Sequence, residues 1–95
     1  MKLHRLYVGL KDDKGTEYNV SDVSRITSRY LKSFTIIPCQ GYEYSVPEPS
    51  CIIEVILDDD YIGVSKYEAL RSIQRDIKAE LNQREVLHIG INIDE

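Results

Sequence analysis

The sequence predicts a single α+β domain of ferredoxin-like βαββαβ class, in which a four-stranded antiparallel sheet carries two helices on one face. Three observations predict this class: the order of strand-spaced and helix-spaced apolar segments, a proline that restricts one strand to an edge, and an isoleucine-rich strand suited to the interior. Because crossover connections are right-handed, this order of elements gives the strand order 4-1-3-2. Residues 1–95 are expected to form this one domain.

The first strand and the first helix follow from apolar spacing. Residues Leu3–Leu10 alternate, which predicts a half-buried strand, and a polar loop over 11–18 follows. Asn19 or Ser21 is expected to cap the next helix, since either side chain can accept from an exposed backbone N–H. The apolar positions of that helix are Val23, Ile26, Tyr30, Leu31 and Phe34.

The next two strands are predicted to form a hairpin. Thr35–Tyr44 contains Pro38, which cannot donate to a sheet ladder, so this strand is expected at an edge. The proline-containing segment 45–49 is predicted as the turn, and Ser50–Leu57 as a central, strongly apolar strand.

The remaining elements are a second helix and a last strand. Asp58–Asp60 is interpreted as a solvated acidic loop and not as a cation site, because three consecutive carboxylates do not converge on one ion. Ser65 and Glu68 predict a capping box, and Glu85–Ile93 alternates as a strand. The predicted core stripe of the helix is Tyr67, Leu70, Ile73, Ile77 and Leu81.

Charge and length exclude several classes of protein. The net charge is −4, which argues against non-specific nucleic-acid binding, and ion pairing with neighbouring acids accounts for the basic stripe Arg71, Arg75 and Lys78. No apolar run is long enough to span a bilayer and no signal peptide is recognised, so a cytosolic location is expected. Cys39 and Cys51 are expected to be buried free thiols, and neither a metal nor a cofactor is predicted.

Alternation along the strands predicts which residues lie on the sheet face without helices. The residues assigned to the helix side are Leu6, Val8, Leu10, Ile37, Cys39, Ile53, Val55, Leu57, Leu87, Ile89 and Ile91. The residues assigned to the other side are Leu3, Arg5, Tyr7, Ile36, Gln40, Tyr42, Ile52, Glu54, Ile56, Val86, His88 and Asn92. That side is apolar enough to predict a contact surface, most simply in a homodimer, the alternative being that loops cover it.

The predicted binding residues come from this face and from the hairpin. Tyr42 and Tyr44 on a proline-stiffened hairpin suit a contact with a protein, or lie simply along the strand edge. Glu54 is expected to pair with Arg5 across neighbouring strands, and His88 to be solvated. The full set of candidate binding residues is Arg5, Tyr7, Gln40, Tyr42, Tyr44, Ile52, Glu54, Ile56 and His88.

No catalytic motif is recognised in the sequence. His88 and Glu54 lack an accompanying nucleophile, phosphate loop or second carboxylate, so the domain is predicted not to be an enzyme. The leading hypothesis is a non-enzymatic binding module that docks on a protein partner. The alternative is a homo-oligomer that sequesters a small anionic metabolite or nucleotide, held by Arg5, Tyr7 and His88.

Several short segments resemble a known group of proteins. These are Leu6-Tyr-Val-Gly-Leu10, the loop at Gly15, the capped helix to Phe34, and Gln83-x-x-Val86-Leu87. They resemble small proteins of phage and mobile-element genomes, of the DUF3574-like kind. The resemblance implies a compact phage-encoded accessory protein that binds and modulates or inhibits a host defence protein, and it implies no catalytic or binding residue.

Overall fold

The computed structural model describes residues 1–57 and 63–93 and confirms the predicted fold class. The sheet order is β2-β3-β1-β4 with antiparallel neighbours, which is the predicted order 4-1-3-2 counted from the other edge. Within the described residues, no helix is long and apolar enough to cross a membrane. The elements are β1 (Lys2–Gly9), α1 (Val20–Thr27), β2 (Thr35–Glu43), β3 (Val46–Leu57), α2 (Gly63–Glu80) and β4 (Leu87–Asn92).

The core lies between the sheet and the two helices. Alternate residues of β1 and β3 point toward the helices and are buried, which is the period expected of a half-covered sheet. The predicted stripe of α2 is confirmed, since its central leucine and isoleucines are fully buried. The principal core residues are Leu6, Val8, Val23, Ile26, Ile53, Val55, Leu70, Ile73 and Ile77.

Helix α1 is capped as predicted but is shorter than its apolar spacing suggests. The Asn19 side chain accepts from the Asp22 backbone N–H, and the Asp22 carboxylate accepts from the Asn19 N–H. The helix ends at Thr27, where backbone bonds change to three-residue turns such as Tyr30 N–H to Thr27 O. Tyr30 and Phe34 therefore lie outside the helix, although Phe34 still packs against the core.

The hairpin turn is tighter than predicted. Tyr44 and Ser45 form it, with φ values of 49° and 63°, and β3 begins at Val46. Pro47 and Pro49 therefore belong to the strand and not to the turn. Because the carbonyl of Pro49 accepts from Leu10 N–H, the prolines direct their missing donors toward β1, where that strand ends, and the ladder with β2 is preserved.

Register shows that the predicted faces of β2 and β4 are wrong. Paired residues share a face, and Ile36 pairs with buried Ile53, so Ile36, Gln40 and Tyr42 belong to the helix side. On β4, His88 pairs with buried Leu6 and thus also lies on the helix side. The side without helices, here called the open face, consists of Leu3, Arg5, Tyr7, Thr35, Ile37, Cys39, Ser50, Ile52, Glu54, Ile56, Leu87, Ile89 and Ile91.

The two cysteines are free, but only one is buried. Cys51 pairs with Pro38 on the helix side, whereas Cys39 pairs with Ser50 on the open face and is exposed. The prediction that both are buried is therefore wrong for Cys39. Burial raises the pKa of Cys51 to about 12, which keeps it a neutral thiol.

Ion pairs connect the outer surfaces of α1 and α2. Arg29 contacts Asp76 at 3.2 Å and also pairs with Glu80, while Arg75 pairs with Asp76 at 3.1 Å. Part of the basic stripe on α2 is thus neutralised by neighbouring acids. The Asp58–Asp60 cluster and the Ser65 side chain, on which the predicted capping box depends, lie outside the described residues.

Candidate functional site

A cavity of about 490 Å³ lies at one end of the sheet, within the range of small-molecule sites. It forms where β1 and β2 end, where β3 begins, and where the connection from α2 reaches β4. Four segments of the chain therefore converge on it. The lining residues are Gly9, Lys11, Asp12, Asp13, Gly41, Tyr42, Glu43, Glu48, Ser50, Asn82, Gln83, Arg84 and Glu85.

Two glycines within strands keep the floor of this cavity open. A Cβ atom at Gly41 would lie 2.8 Å from the Ser50 hydroxyl oxygen, and one at Gly9 would lie 2.7 Å from Gln83 Oε1. Glycine inside a strand often marks a close approach of another group, as both positions do here. The floor thus presents the Ser50 hydroxyl and, near Gly41, the backbone carbonyl of Glu48, because neither glycine carries a side chain.

The lining is predominantly acidic. Five carboxylates face two cationic side chains, Lys11 and Arg84, around the cavity. Arg84 pairs with Asp13 at 2.7 Å in an exposed ion pair. The other four acids of the lining therefore have one remaining cationic side chain among them, Lys11. A cavity lined by one sign of charge concentrates ligands of the other sign, so this one favours a cation.

Asp12 organises the loop and does not have the spare capacity of a ligand-binding carboxylate. Its Oδ1 accepts the backbone N–H groups of Lys14 and Thr16, both at 2.9 Å. Its Oδ2 accepts from the Tyr18 hydroxyl at 3.0 Å, with the Asn82 amide at 3.5 Å. Partial burial raises the pKa of Asp12, but these hydrogen bonds outweigh it and the pKa is lowered overall.

Three other carboxylates are available to a ligand. Glu43, Glu48 and Glu85 have no hydrogen bond from a side chain or backbone donor and no ion pair among the described residues. Glu48 is half-buried, and Tyr42, which is 69% exposed, also lines the cavity. Carboxylates and a ring face are both groups that attract an organic cation.

Neutral donors come from the residues that end α2. Asn82 takes a positive φ of 50°, which asparagine tolerates, and its amide donates to the Tyr18 hydroxyl at 3.0 Å. The Gln83 amide donates to Leu81 O at 2.9 Å and to Lys11 O at 3.3 Å. These contacts tie the α2–β4 connection to the loop after β1 and fix the rim of the cavity.

A second polar cluster lies under α2. His4 Nδ1 and His88 Nε2 are 2.8 Å apart, and the His4 ring meets Tyr67 edge-on at 5.1 Å between centroids. Burial lowers the pKa of His88. Both imidazoles belong to the packing of the sheet against α2, and His88 is not the solvated histidine that the sequence predicted.

The structure divides the predicted binding residues among three places. Arg5 and Glu54 form the predicted ion pair at 2.9 Å on the open face, beside Tyr7, Ile52 and Ile56. Gln40, Tyr42 and His88 belong to the other face, and Tyr44 is 95% exposed at the hairpin turn. Among the predicted residues, Tyr42 lines the cavity.

Sequence reasoning missed the cavity because its residues come from four separate segments. One usable signal was present: Gly9 and Gly41 interrupt predicted strands, where glycine costs stability unless close approach requires it. The acids around them fell in the predicted loop 11–18, the predicted turn 45–49 and the ends of two predicted strands, and no periodic pattern joins them.

Comparison with solved structures finds similar folds in phage proteins. A phage SAM lyase in complex with S-methyl-5′-thioadenosine has a TM-score of 0.76 and 19% identity, covering 95% of this chain and 79% of that chain. A phage SAM lyase in the apo state has a TM-score of 0.67 and 18% identity over 99% and 92% of the two chains. A DUF3240 family protein from Shewanella baltica OS155 has a TM-score of 0.58 and 10% identity over 99% and 91%.

Sequence comparison adds no family. No protein-family model matches the chain, and no curated protein matches it. The predicted resemblance to small phage proteins is confirmed in part by the fold neighbours, whereas the DUF3574-like kind stays a prediction.

The prediction that the domain is not an enzyme is wrong. The two fold neighbours with TM-scores of 0.76 and 0.67 are both structures described as phage SAM lyase, which is an enzyme. At 18–19% identity this likeness shows the fold. The missing nucleophile and phosphate loop, on which the prediction rested, do not exclude catalysis in such a fold, because a fold hosts different chemistries through its sites.

Proposed function

We propose that this chain is a phage-encoded enzyme that cleaves S-adenosylmethionine (SAM) in the acidic cavity. The observation that carries the proposal is the set of carboxylates around a glycine floor that have no partner within residues 1–57 and 63–93, in a fold similar to that of phage SAM lyase. SAM carries a positive sulfonium centre, and the cavity carries an excess of negative charge. The proposal therefore rests on a similar fold and on a cavity whose charge is opposite to that of the substrate.

The reaction is defined by what remains of SAM after cleavage. S-methyl-5′-thioadenosine, the molecule bound to one of the similar lyases, is SAM without its amino-carboxypropyl group. Forming it breaks the bond between the sulfonium sulfur and the adjacent methionine carbon, and the electron pair passes to sulfur, which becomes a neutral thioether. As that bond breaks, the carboxylate of the leaving fragment attacks the same carbon and closes a lactone, so the step needs no external nucleophile or base.

This chemistry asks little of protein side chains. The leaving group is already cationic, so it needs no general acid, and a closing carboxylate is supplied by the substrate itself. The contribution of the site is to hold the reacting carbon and the carboxylate in attacking geometry, which alone can supply a large part of the acceleration. This explains how an enzyme of this type lacks the nucleophile and base that a sequence search looks for.

The negative charges of the cavity favour substrate binding and product release more than they favour the bond-breaking step. Glu48 and its neighbours attract the sulfonium, but that positive charge disappears as the bond breaks, so their attraction is stronger for substrate than for the transition state. The neutral thioether product is held less tightly and leaves. The ammonium of Lys11, which lines the cavity, is the proposed partner of the SAM carboxylate.

The biological role follows from the substrate. SAM is the methyl donor of host methyltransferases, so a phage enzyme that removes it acts on a host component, as the phage resemblance implied. Such an enzyme depletes a substrate that host defence enzymes share.

Incubation of the purified chain with SAM, followed by mass spectrometry of the small molecules, tests the proposal. S-methyl-5′-thioadenosine is expected to accumulate catalytically. Glu48→Gln is expected to raise KM roughly tenfold or more, since it removes a half-buried charge from the sulfonium site. Glu68→Gln, an exposed acid near the other end of α2, is the matched control and should leave KM unchanged.

Two results would contradict this proposal. One is binding of SAM with no product, which would return the chain to a sequestering protein. The other is turnover that is equally unaffected by Glu48→Gln and Glu68→Gln, which would move the site away from the cavity.

A further inference from the structure

We propose that a second copy of this chain covers the open face, with the two sheets stacked face to face about a two-fold axis. The proposal concerns assembly and does not depend on the activity of the cavity. It is carried by three properties of the open face: its apolar content, its extent and the arrangement of its charges.

The open face is largely apolar and exposed in the single chain. Ile56 is 58% exposed, Leu87 60%, Ile91 45% and Ile37 37%. Isolated apolar residues are ordinary on a protein surface, but these lie on adjacent strands and form a continuous patch. The apolar members of the face are Leu3, Tyr7, Ile37, Ile52, Ile56, Leu87, Ile89 and Ile91.

The extent of this patch matches what an interface needs. Four strands about 4.8 Å apart, each contributing roughly six residues at about 3.3 Å, cover on the order of 400 Å² in projection. The accessible surface of side chains standing on a sheet exceeds that projection. Pairing two such faces therefore approaches the roughly 1,200 Å² of total area at the lower end of stable interfaces.

The charges select a second copy as the occupant. The Arg5–Glu54 pair lies on the two central strands, so one positive and one negative group stand side by side within the apolar patch. A two-fold interface requires a surface that is complementary to itself. A central pair of opposite charges meets this requirement, because Arg5 of one copy can face Glu54 of the other.

Both members of the pair retain capacity for a second partner. Their side chains are 34% and 24% exposed, and the contact between them uses only Nε of the five guanidinium N–H donors. Four charges meeting at the centre of the interface would satisfy one another, which offsets the cost of removing them from water. The net charge of −4 disfavours other, acidic surfaces for self-contact, whereas the charges at the centre of this face, Arg5 and Glu54, cancel.

Native mass spectrometry and sedimentation velocity on the full chain, over a range from nanomolar to about 100 μM, measure the assembly. The wild-type chain is expected to show a mass of two chains. Ile56→Asp and Leu87→Asp, made separately, are each expected to weaken association by about a hundredfold or more, since a two-fold axis buries the new charge twice. Both positions are exposed in the single chain, so neither substitution disturbs the core.

Ala79→Asp is the matched control. Ala79 is exposed on α2, on the opposite side of the molecule, so the same new charge should leave the mass at two chains. Far-ultraviolet circular dichroism verifies that all three variants remain folded.

A mixing experiment tests the charge arrangement directly. Arg5→Glu places two acids on the face and Glu54→Arg places two bases, so each variant alone is expected to give single chains. An equimolar mixture is expected to restore a two-chain species containing one copy of each. Wild-type chains that stay single at every concentration, two-chain species that persist in Ile56→Asp and Leu87→Asp, or variants that fail to associate on mixing would each overturn the proposal. Mass is the readout, so SAM turnover does not enter the decision.

Discussion

The two faces of the sheet differ in how their polar groups are satisfied. On the helix side, His4 is 2% exposed and bonds to His88, and the buried Thr27 hydroxyl donates to Val23 O at 2.8 Å. At the cavity end of the open side, Glu48 has no such partner among the described residues. Burying a polar side chain without a hydrogen-bond partner costs free energy, so the polar side chains of the helix side serve the packing of the fold. The polar side chains at the cavity end of the other side keep hydrogen-bonding capacity that a ligand can use.

Two adjacent residues of β3 give the largest expected difference between the two faces. Ile53 points into the core and is fully buried, whereas Ile52 points to the open face and is half-buried. Ile53→Ala is expected to lower the free energy of unfolding by about 2–5 kcal/mol, and Ile52→Ala by less than about 1.5 kcal/mol in the single chain. Urea denaturation at low micromolar concentration measures both. Equal losses would show that the open face is covered within one chain.

Glycine positions give a second, smaller test. A Cβ atom at Gly90 would lie 3.3 Å from Cε1 of the buried His4 ring, which His88 and Tyr67 hold in place. Gly90→Ala is expected to cost about 1–3 kcal/mol, because the ring cannot move aside. Chemical denaturation measures this loss.

Gly9→Ala is the control for the glycine test. Its Cβ would meet the far end of the flexible Gln83 side chain, which can rotate away, so a smaller loss is expected there. If Gly9→Ala were the more costly of the two, the helix side would not be the more rigid face.

The same contacts explain which parts of the fold the sequence predicts. Period-two spacing located the strands, and Pro38 correctly placed β2 at the edge, because these signals depend on local chemistry. The same spacing did not predict correctly which residues of β4 lie on each side of the sheet. Leu87, Ile89 and Ile91 alternate as a core strand would, yet register places them outside, since buried His4 requires Gly90 opposite it.

The histidines contained a signal that local spacing could not use. The chain has two histidines, and His4 shares the alternation of Leu6 and Val8, so it had to be buried and to need a polar partner. His88 is that partner, and joining them fixes the register of β4. The cavity was beyond such reasoning, because it depends on where the loop after β1 meets the end of α2.

The smallest expected effect is a dependence of stability on pH that originates on the helix side. Burial lowers the pKa of His88 below its ordinary value of 6.5. In the unfolded chain His88 takes up a proton near pH 6.5, whereas in the folded protein it stays neutral to a lower pH. The stabilisation is therefore fully present above pH 6.5 and is lost as the pH falls through the folded pKa.

Thermal unfolding between pH 8 and pH 5 measures this dependence, and Tm is expected to fall on the acidic side. His88→Gln removes the titrating group while keeping an amide near His4, so it should flatten that fall even if it lowers Tm at every pH. Glu68→Gln, an exposed acid that is not in the histidine cluster, should leave the profile unchanged. If the His88→Gln profile kept the wild-type slope, the acid sensitivity would have another source, and the paired histidines would act only through packing. A flattened profile would assign the sensitivity to the helix side of the sheet, where a buried polar group must stay neutral to remain bonded.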